Sequence, residues 1–191
     1  MITKWLKRLI FLALFLVVAA TATGWWLLRG SPATLDGKVA LTGLSAPVQV
    51  ARDANGTVTI DAANQADAMR ALGYVHAQER YFEMDLMRRV SAGELSELFG
   101  PIAIEKDKAQ RVHRIRARVA ADLARMTAEQ RAALDAYTDG ANAGLAALRT
   151  RPWPYLLLGQ QPKRWAPEDA ALVGFAMYFD LQDASDHNAL A

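Results

Sequence analysis

Gly73-Tyr74-Val75-His76-Ala77-Gln78-Glu79-Arg80, continued by Met84-Asp85-Leu86-Met87-Arg88-Arg89 and Gly93-Glu94-Leu95-Ser96-Glu97-Leu98-Phe99-Gly100, is the stretch on which the reading of this chain turns. Val75, Phe82, Leu86 and Val90 stand near helical spacing, which predicts an amphipathic helix with that stripe in the core and a solvated, charged back. The pattern leaves unexplained why His76, Gln78, Glu79, Arg80, Asp85, Arg88 and Arg89 crowd together.

The surrounding chain reads as mostly helical. Asn64 caps a helix over about 65–81, with Asp67 in its first turn complementing the positive helix end. A second helix over 83–98 closes at Gly100-Pro101. Residues 105–125 mix charge with apolar positions at Val112, Ile115, Val119 and Leu123. Thr127-Ala128-Glu129-Gln130 has capping-box spacing and starts a helix running to about Leu148. Arg151-Pro152-Trp153-Pro154 breaks it, and Pro167-Glu168-Asp169 opens the last helix although Ala166 offers no side-chain cap. That helix carries Leu172, Val173, Phe175, Met177, Phe179 and Leu181 on nearly every side, so it must be buried in something. After Asp183-Ala184-Ser185-Asp186-His187-Asn188 the pattern stops without a capping Gly, which reads as a severed edge. Upstream, Val48–Arg52 alternates like a strand, Asp53-Ala54-Asn55-Gly56 supplies a turn, and Thr57–Asp61 is β-branched on its return, so a β-hairpin is expected.

Bulk properties limit the function classes. The 191 residues are 52% hydrophobic with 7 Pro and 12 Gly, a composition of globular protein. The net charge of +2 depends on Lys4, Lys7, Arg8 and Arg29; the remainder is slightly acidic, which leaves no footprint for nucleic acid. Without cysteine the chain holds no disulfide, thiolate metal site or cysteine nucleophile.

Residues 1–30 read as an export element. Lys4, Lys7 and Arg8 precede an uncharged run, residues 9–28, long enough for the ~30 Å bilayer core. The basic flank stays cytoplasmic and the rest crosses. Ala20-Thr21-Ala22 also fits a signal-peptidase site, whereas Trp25 and Trp26 suit an interfacial anchor, so anchor and cleaved signal both stand. Either way residues 31–191 are extracytoplasmic, in the periplasm, with the inner membrane as a partner if the segment is kept.

Catalytic material is sparse. His76 and Glu79, with Glu83 a turn beyond, could form a metal face, yet one such motif does not make a dinuclear carboxylate site, and a hydrogen-bonded structural His is the simpler reading. His113, between Arg111 and Arg114, reads as a surface residue. No Gly-x-Ser-x-Gly, His-Glu-x-x-His or P-loop occurs.

The Gly73 to Gly100 block closely resembles the entry helices of the penicillin acylase family, whose members carry Gly-Tyr-Val-His-Ala-Gln-Asp/Glu-Arg, then Met-Asp and an Arg-Arg pair. Further landmarks follow in the family's order: Arg52-Asp53 with Gly56, Asp67-Ala68, Ala136-Tyr137 with Gly140-Ala141-Asn142-Ala143, Leu158-Gly159, Pro162, Trp165 and Pro167-Glu168-Asp169. The resemblance spans about residues 45–190 and implies the α-chain portion of an N-terminal nucleophile hydrolase, an α/β enzyme with an αββα sandwich to which this chain contributes mostly helices and a hairpin. It implies removal of an acyl group from an amide, of β-lactam or N-acyl-homoserine-lactone type, through an acyl-enzyme on the first residue of a β chain made from the same precursor. The nucleophile therefore lies outside this sequence, which alone is expected to be inactive.

The same resemblance assigns Met177 and Leu181, one turn apart, to the acyl pocket, where spacing alone reads as ordinary core. Leu181 stands where phenylacetyl-accepting members have an aromatic, which points to a longer or aliphatic acyl group. Several members hold a structural Ca²⁺ with one α-chain carboxylate and several β-chain oxygens; Asp186 is the nearest counterpart, one residue out of register. No organic cofactor is implied. The Arg residues of the block are expected to be scaffold, with Glu79, Asp85 and Glu94 as their partners against the β-chain sheet. The competing reading is a membrane-anchored, non-catalytic helical interaction protein derived from an acylase; coding sequence beyond Ala191 separates the two.

Overall fold

The computed structural model describes residues 2–189, with side chains described for 4–27 and 29–182. α1 (Ile2–Gly30) holds the N-terminal apolar run. Lys4–Leu27 has a mean hydropathy of 2.1 and none of its core window is buried, so by length and composition this helix can cross a membrane.

The expected hairpin forms from β1 (Gln49–Arg52) and β2 (Val58–Asp61), antiparallel with Val50 opposite Ile60 and Arg52 opposite Val58. Its turn is longer than the two-residue loop that Asn-Gly favours. The Asp53 carboxylate sets it, accepting from the N–H groups of Asn55 (2.9 Å) and Thr57 (2.8 Å), while Gly56 takes the left-handed φ of 81° that closes it.

α2 (Gln65–Ala92) is the spine. Asn64 accepts from the Asp67 N–H at 2.9 Å, as expected of its cap. The expected separation of two helices appears as a kink, with Arg80 at φ −146° and ψ 34° inside one continuous element. The second limb ends earlier than the expected Leu98. Gly93, at φ 69°, caps it with a left-handed turn in which its own N–H and that of Glu94 bond back to Val90 and Arg89. Short α3 (Ser96–Phe99) and a 3₁₀ turn (Gly100–Ala103) follow.

The region expected to be one mixed-charge segment is two helices, α4 (Ile104–Arg111) and α5 (Ile115–Leu123), parted at Arg114, whose φ is 53°. Ile115, Val119 and Leu123 are buried, but Val112 falls in the break and is exposed. α6 (Ala128–Ala147) begins with the expected capping box, the Thr127 hydroxyl accepting from the Gln130 N–H and the Gln130 side chain accepting from the Thr127 N–H. Short α7 (Trp153–Leu157) and α8 (Pro167–Ala189) complete the chain. Ala166 is capped after all: the Asp169 carboxylate reaches back to its N–H at 2.8 Å.

α2 packs most extensively along α6, and two glycines explain how closely. A Cβ on Gly140 would sit 1.9 Å from the Arg70 carbonyl, and one on Gly73 would sit 2.2 Å from the Tyr137 carbonyl. The backbones are in direct contact there. Around this crossing Ala77, Tyr81, Met84, Leu98, Ala141, Tyr155 and Trp165 form the main core. A second cluster joins Ile115, Val119 and Leu123 of α5 to Leu172 of α8, with Phe175 and Phe179 against it.

The anticipated core stripe of α2 is corrected in part. Val75 is buried, but Leu86 and Val90 are only half-buried, whereas Asp85, Arg88 and Arg89 lie deeper than either. Part of the charged back expected to face water is inside, while Glu79, Arg80 and Glu83 stay exposed.

Gly140→Ala is expected to destabilise the chain by about 3 kcal/mol, because two helix backbones must separate. Gly174→Ala, whose new Cβ would meet nothing within 4 Å, should instead gain about 0.5–1 kcal/mol of helix propensity. Urea unfolding of the two variants checks the opposite signs.

Candidate functional site

The site region is built on α8 and on what fixes its first turn. Asp85 is fully buried on α2. Its Oδ1 accepts from Arg88 Nε at 2.7 Å and Arg89 Nε at 2.9 Å, and its Oδ2 accepts from the Tyr155 hydroxyl at 2.6 Å. Arg88 then reaches out of α2: its Nη1 and Nη2 donate to the Arg164 and Lys163 carbonyls at 3.0 and 3.2 Å, and Nη1 pairs with Asp169 of α8. Asp169, 1% exposed, also receives Arg116 of α5 at 3.3 Å, and Arg116 in turn holds Glu94 through two contacts of 2.7 Å. Arg89 and Lys163 share Glu97 at 2.5 and 2.7 Å.

The electrostatics follow from burial with pairing. Burial disfavours the Arg88 charge, but Asp85 and Asp169 more than offset it and hold the guanidinium above its ordinary value. Burial, and then Asp85, push the Tyr155 phenol up, so it stays a donor. Burial opposes ionisation of Glu97, yet Lys163 and Arg89 keep its carboxyl below the usual range. These groups are locked in charge and position. Among the described residues they join α2, α5, α7, α8 and the segment before α8.

The expected partners are partly corrected. Asp85 and Glu94 belong to the network, but Glu79 pairs instead with Arg52 and so ties the hairpin to α2. Asp169 and Tyr155 were missed. Asp169 carried a signal, since an acid at the third position of a Pro-started helix is also a capping acid; Tyr155 carried none.

His76 bonds the Tyr137 hydroxyl at 3.0 Å, the structural role anticipated for it. Burial, reinforced by Arg80, holds its imidazole below the ordinary 6.5, and burial pushes Tyr137 up to about 12. Gln78 bridges two elements, donating to the Gly144 carbonyl at 2.6 Å and accepting from the Thr34 N–H at 3.1 Å. His113 is exposed beside Phe179, their rings 5.2 Å apart. Among the described residues no group of three or more His, Asp or Glu gathers to hold a metal, and the side chain of Asp186 lies outside those described.

α8 has two faces. Leu172 and Ala176 are buried inward, and Asp169 locks the first turn. Met177 and Leu181, assigned to a pocket on resemblance, share the outer face with Tyr178 and are 57% and 59% exposed. They are therefore not core of this chain, and the expectation of an α8 buried on every side is met on its inner side only. Under the hairpin lies a separate cleft of about 160 Å³, lined by Val39, Leu41, Val48, Val50, Tyr74 and Val75 among others.

A sequence model of the family described as penicillin amidase matches residues 47–191. The chain belongs to that family. It is 43% identical over 133 residues to penicillin acylase 2 proenzyme of Pseudomonas sp. (strain SE83), covering 70% of this chain and 17% of that protein. It is 35% identical over 144 residues to the acyl-homoserine lactone acylase QuiP of Pseudomonas aeruginosa, covering 74% and 17%. Penicillin G acylase of Escherichia coli is 31% identical over 134 residues, covering 68% and 16%. Among solved structures, a thermostable penicillin G acylase from Alcaligenes faecalis superposes with a TM-score of 0.62 at 27% identity, over 69% of this chain and 71% of that one. The chain thus spans about a sixth of the curated relatives it matches. The network residues Asp85, Arg88, Arg89 and Asp169 lie inside the region the family model matches.

Two outcomes are expected. Arg88→Ala, which takes the shared guanidinium from two buried carboxylates, should cost about 3–5 kcal/mol in chemical denaturation. His76, whose folded pKa is below its unfolded 6.5, makes the unfolded state bind more protons, so stability falls as pH drops below about 6.5 and levels off once the folded imidazole also titrates. His76→Gln should flatten that part of the profile of unfolding midpoint against pH.

Proposed function

We propose that this chain is the α-chain region of an exported acylase, acting with a β chain that supplies an N-terminal nucleophile, the amine serving as its base. In this reading the complete enzyme has the αββα sandwich, and the nucleophile attacks an amide carbonyl to give an acyl-enzyme that water hydrolyses. Support comes from the family match and from the acylase names of its relatives. The observation that carries the local assignment is the outer face of α8, where Met177, Tyr178 and Leu181 keep more than half of their surface open while the opposite face is locked by Asp169. An apolar face held in place by buried ion pairs suits one wall of an acyl pocket completed by the second chain.

Met177 and Leu181 then set how long an acyl chain fits, and Leu181 in place of an aromatic favours an aliphatic group. Asp186 remains the candidate carboxylate for a Ca²⁺, with the other oxygens supplied by the β chain in this reading. Residues 1–30 act as an anchor, with Lys4, Lys7 and Arg8 on the cytoplasmic side and the body in the periplasm.

The test is the complete precursor assayed on N-acyl substrates of graded length. Leu181→Phe should shift kcat/KM toward short or arylacetyl groups by roughly 10–200-fold, the range of one methylene-scale change in a pocket; an unchanged length profile refutes the pocket assignment. The 191-residue chain alone should not turn over a chromogenic amide. Arg88→Ala in the precursor should block its maturation, and normal processing with normal activity refutes the scaffold role of the network.

A further inference from the structure

The end of α1 is fastened to the body. The Gly30 carbonyl accepts from the Thr150 N–H at 3.1 Å, and the Ser31 hydroxyl accepts from the Trp153 N–H at 2.9 Å. A Cβ on Gly30 would collide with the Thr150 side chain at 2.3 Å. Thr34 continues the attachment through Gln78 of α2. The α6–α7 connection therefore cannot lie far from the point where α1 ends.

Bilayer dimensions give this a depth. The uncharged run of α1 ends at Leu28, and Gly30 lies two residues further, about 3 Å along the helix. The headgroup layer on each side of the hydrocarbon core is roughly 5–7 Å thick. Groups bonded to Gly30 and Ser31 are thus at headgroup level if α1 spans.

The chemistry exposed there matches that depth. Trp153 and Leu157 stand at i and i+4 of α7, hence on one face, and are 52% and 77% exposed. Arg149 is exposed just before them, and Arg29 lies at the helix end with its guanidinium 4.3 Å over the Trp25 ring. A gap of about 190 Å³ between the end of α1 and the end of α6 has Arg29 and Arg149 in its walls. Aromatic and aliphatic side chains with flanking arginines suit the boundary between acyl chains and anionic headgroups.

We propose that segment 149–157 is a second membrane contact, in which Arg149, Trp153 and Leu157, together with Arg29, rest on anionic phospholipid beside the exit of α1. This rests on the anchor reading of residues 1–30. Two attachments restrict the body's swivel on its anchor and set one orientation toward the bilayer.

The chain has no cysteine, so single labels are unambiguous. An environment-sensitive fluorophore is placed on the full chain at Phe15→Cys, Leu157→Cys or Ala121→Cys, and the chain is reconstituted into phosphatidylcholine vesicles with or without phosphatidylglycerol. Ala121 is exposed on α5, which packs by the Ala92 end of α2, some 20 Å of helix from Gln78. The Leu157 label should be blue-shifted and quenched by headgroup nitroxides, more so with phosphatidylglycerol, while the Ala121 label stays aqueous. Arg149→Ser with Trp153→Ser should abolish most of that quenching without moving the Phe15 label. A Leu157 label as aqueous as Ala121, with Phe15 in the hydrocarbon, overturns the contact, leaves the anchor standing and assigns the patch to a polypeptide partner. An aqueous Phe15 label removes the anchor and the contact together.

Discussion

Everything in the body of this chain depends on a carboxylate with no access to water. Asp85 accepts two guanidinium bonds and one phenol bond, which uses both its oxygens. A buried ion costs several kcal/mol to desolvate, and only a filled set of partners offsets that. Asp85 therefore dictates where Arg88, Arg89 and Tyr155 must be. Arg88 carries the constraint onward to Asp169, and Arg116 carries it from there to Glu94. Five segments distant in sequence are fixed by this geometry: the second limb of α2, α5, α7, the loop 163–165 and the first turn of α8.

Apolar contacts alone would not fix them as well. Replacing a buried ion network by hydrophobic residues is often neutral or stabilising, so the network is weak evidence for stability as such. What it supplies is direction. The α5–α8 cluster of Ile115, Val119, Leu123 and Leu172 is tolerant in register, because aliphatic side chains can repack. The Arg88–Asp169 pair is not, since a guanidinium fork meets a carboxylate in few orientations. Where Gly73 and Gly140 bring two backbones together, steric contact plays the same part between α2 and α6.

Local signals were legible and long-range ones were not. Asn64 and the Thr127 capping box act within a few residues and form as read, whereas the buried carboxylate of Asp67, read only as a first-turn acid, accepts from Ser45 and Ala46, 22 and 21 residues upstream. The hairpin was legible from its β-branched flanks, though its turn is set by Asp53 and not by Asn-Gly alone. The depth of Asp85, Arg88 and Arg89 was not legible from periodicity, because hydropathy treats a paired guanidinium as if it were a solvated one. Only the density of charge hinted at it. Asp169 lies 81 residues from Arg88 and 53 from Arg116, and Tyr155 lies 70 from Asp85, separations that leave no trace in a local pattern. The outer face of α8 was legible only in part for a related reason: an all-apolar helix announces burial without saying which face this chain itself covers. Met177 and Leu181 were placed by resemblance, and the structure adds only that they stand open.

The link between network and site is mechanical. Met177 is eight residues beyond Asp169, about 12 Å along α8. A helix held at its first turn by two arginines and packed inward by Leu172 and Ala176 has little freedom to roll or slide. Rolling by one residue would turn Met177 by about 100° and present Ala176 or Tyr178 in its place. A pocket wall needs tolerance well below that, since misplacement by an ångström can cost two orders of magnitude in rate. The most deeply buried charges of this chain touch no reacting atom in the proposed enzyme. Their part is to give an apolar helix one rotation and one height, which hydrophobic packing by itself leaves free.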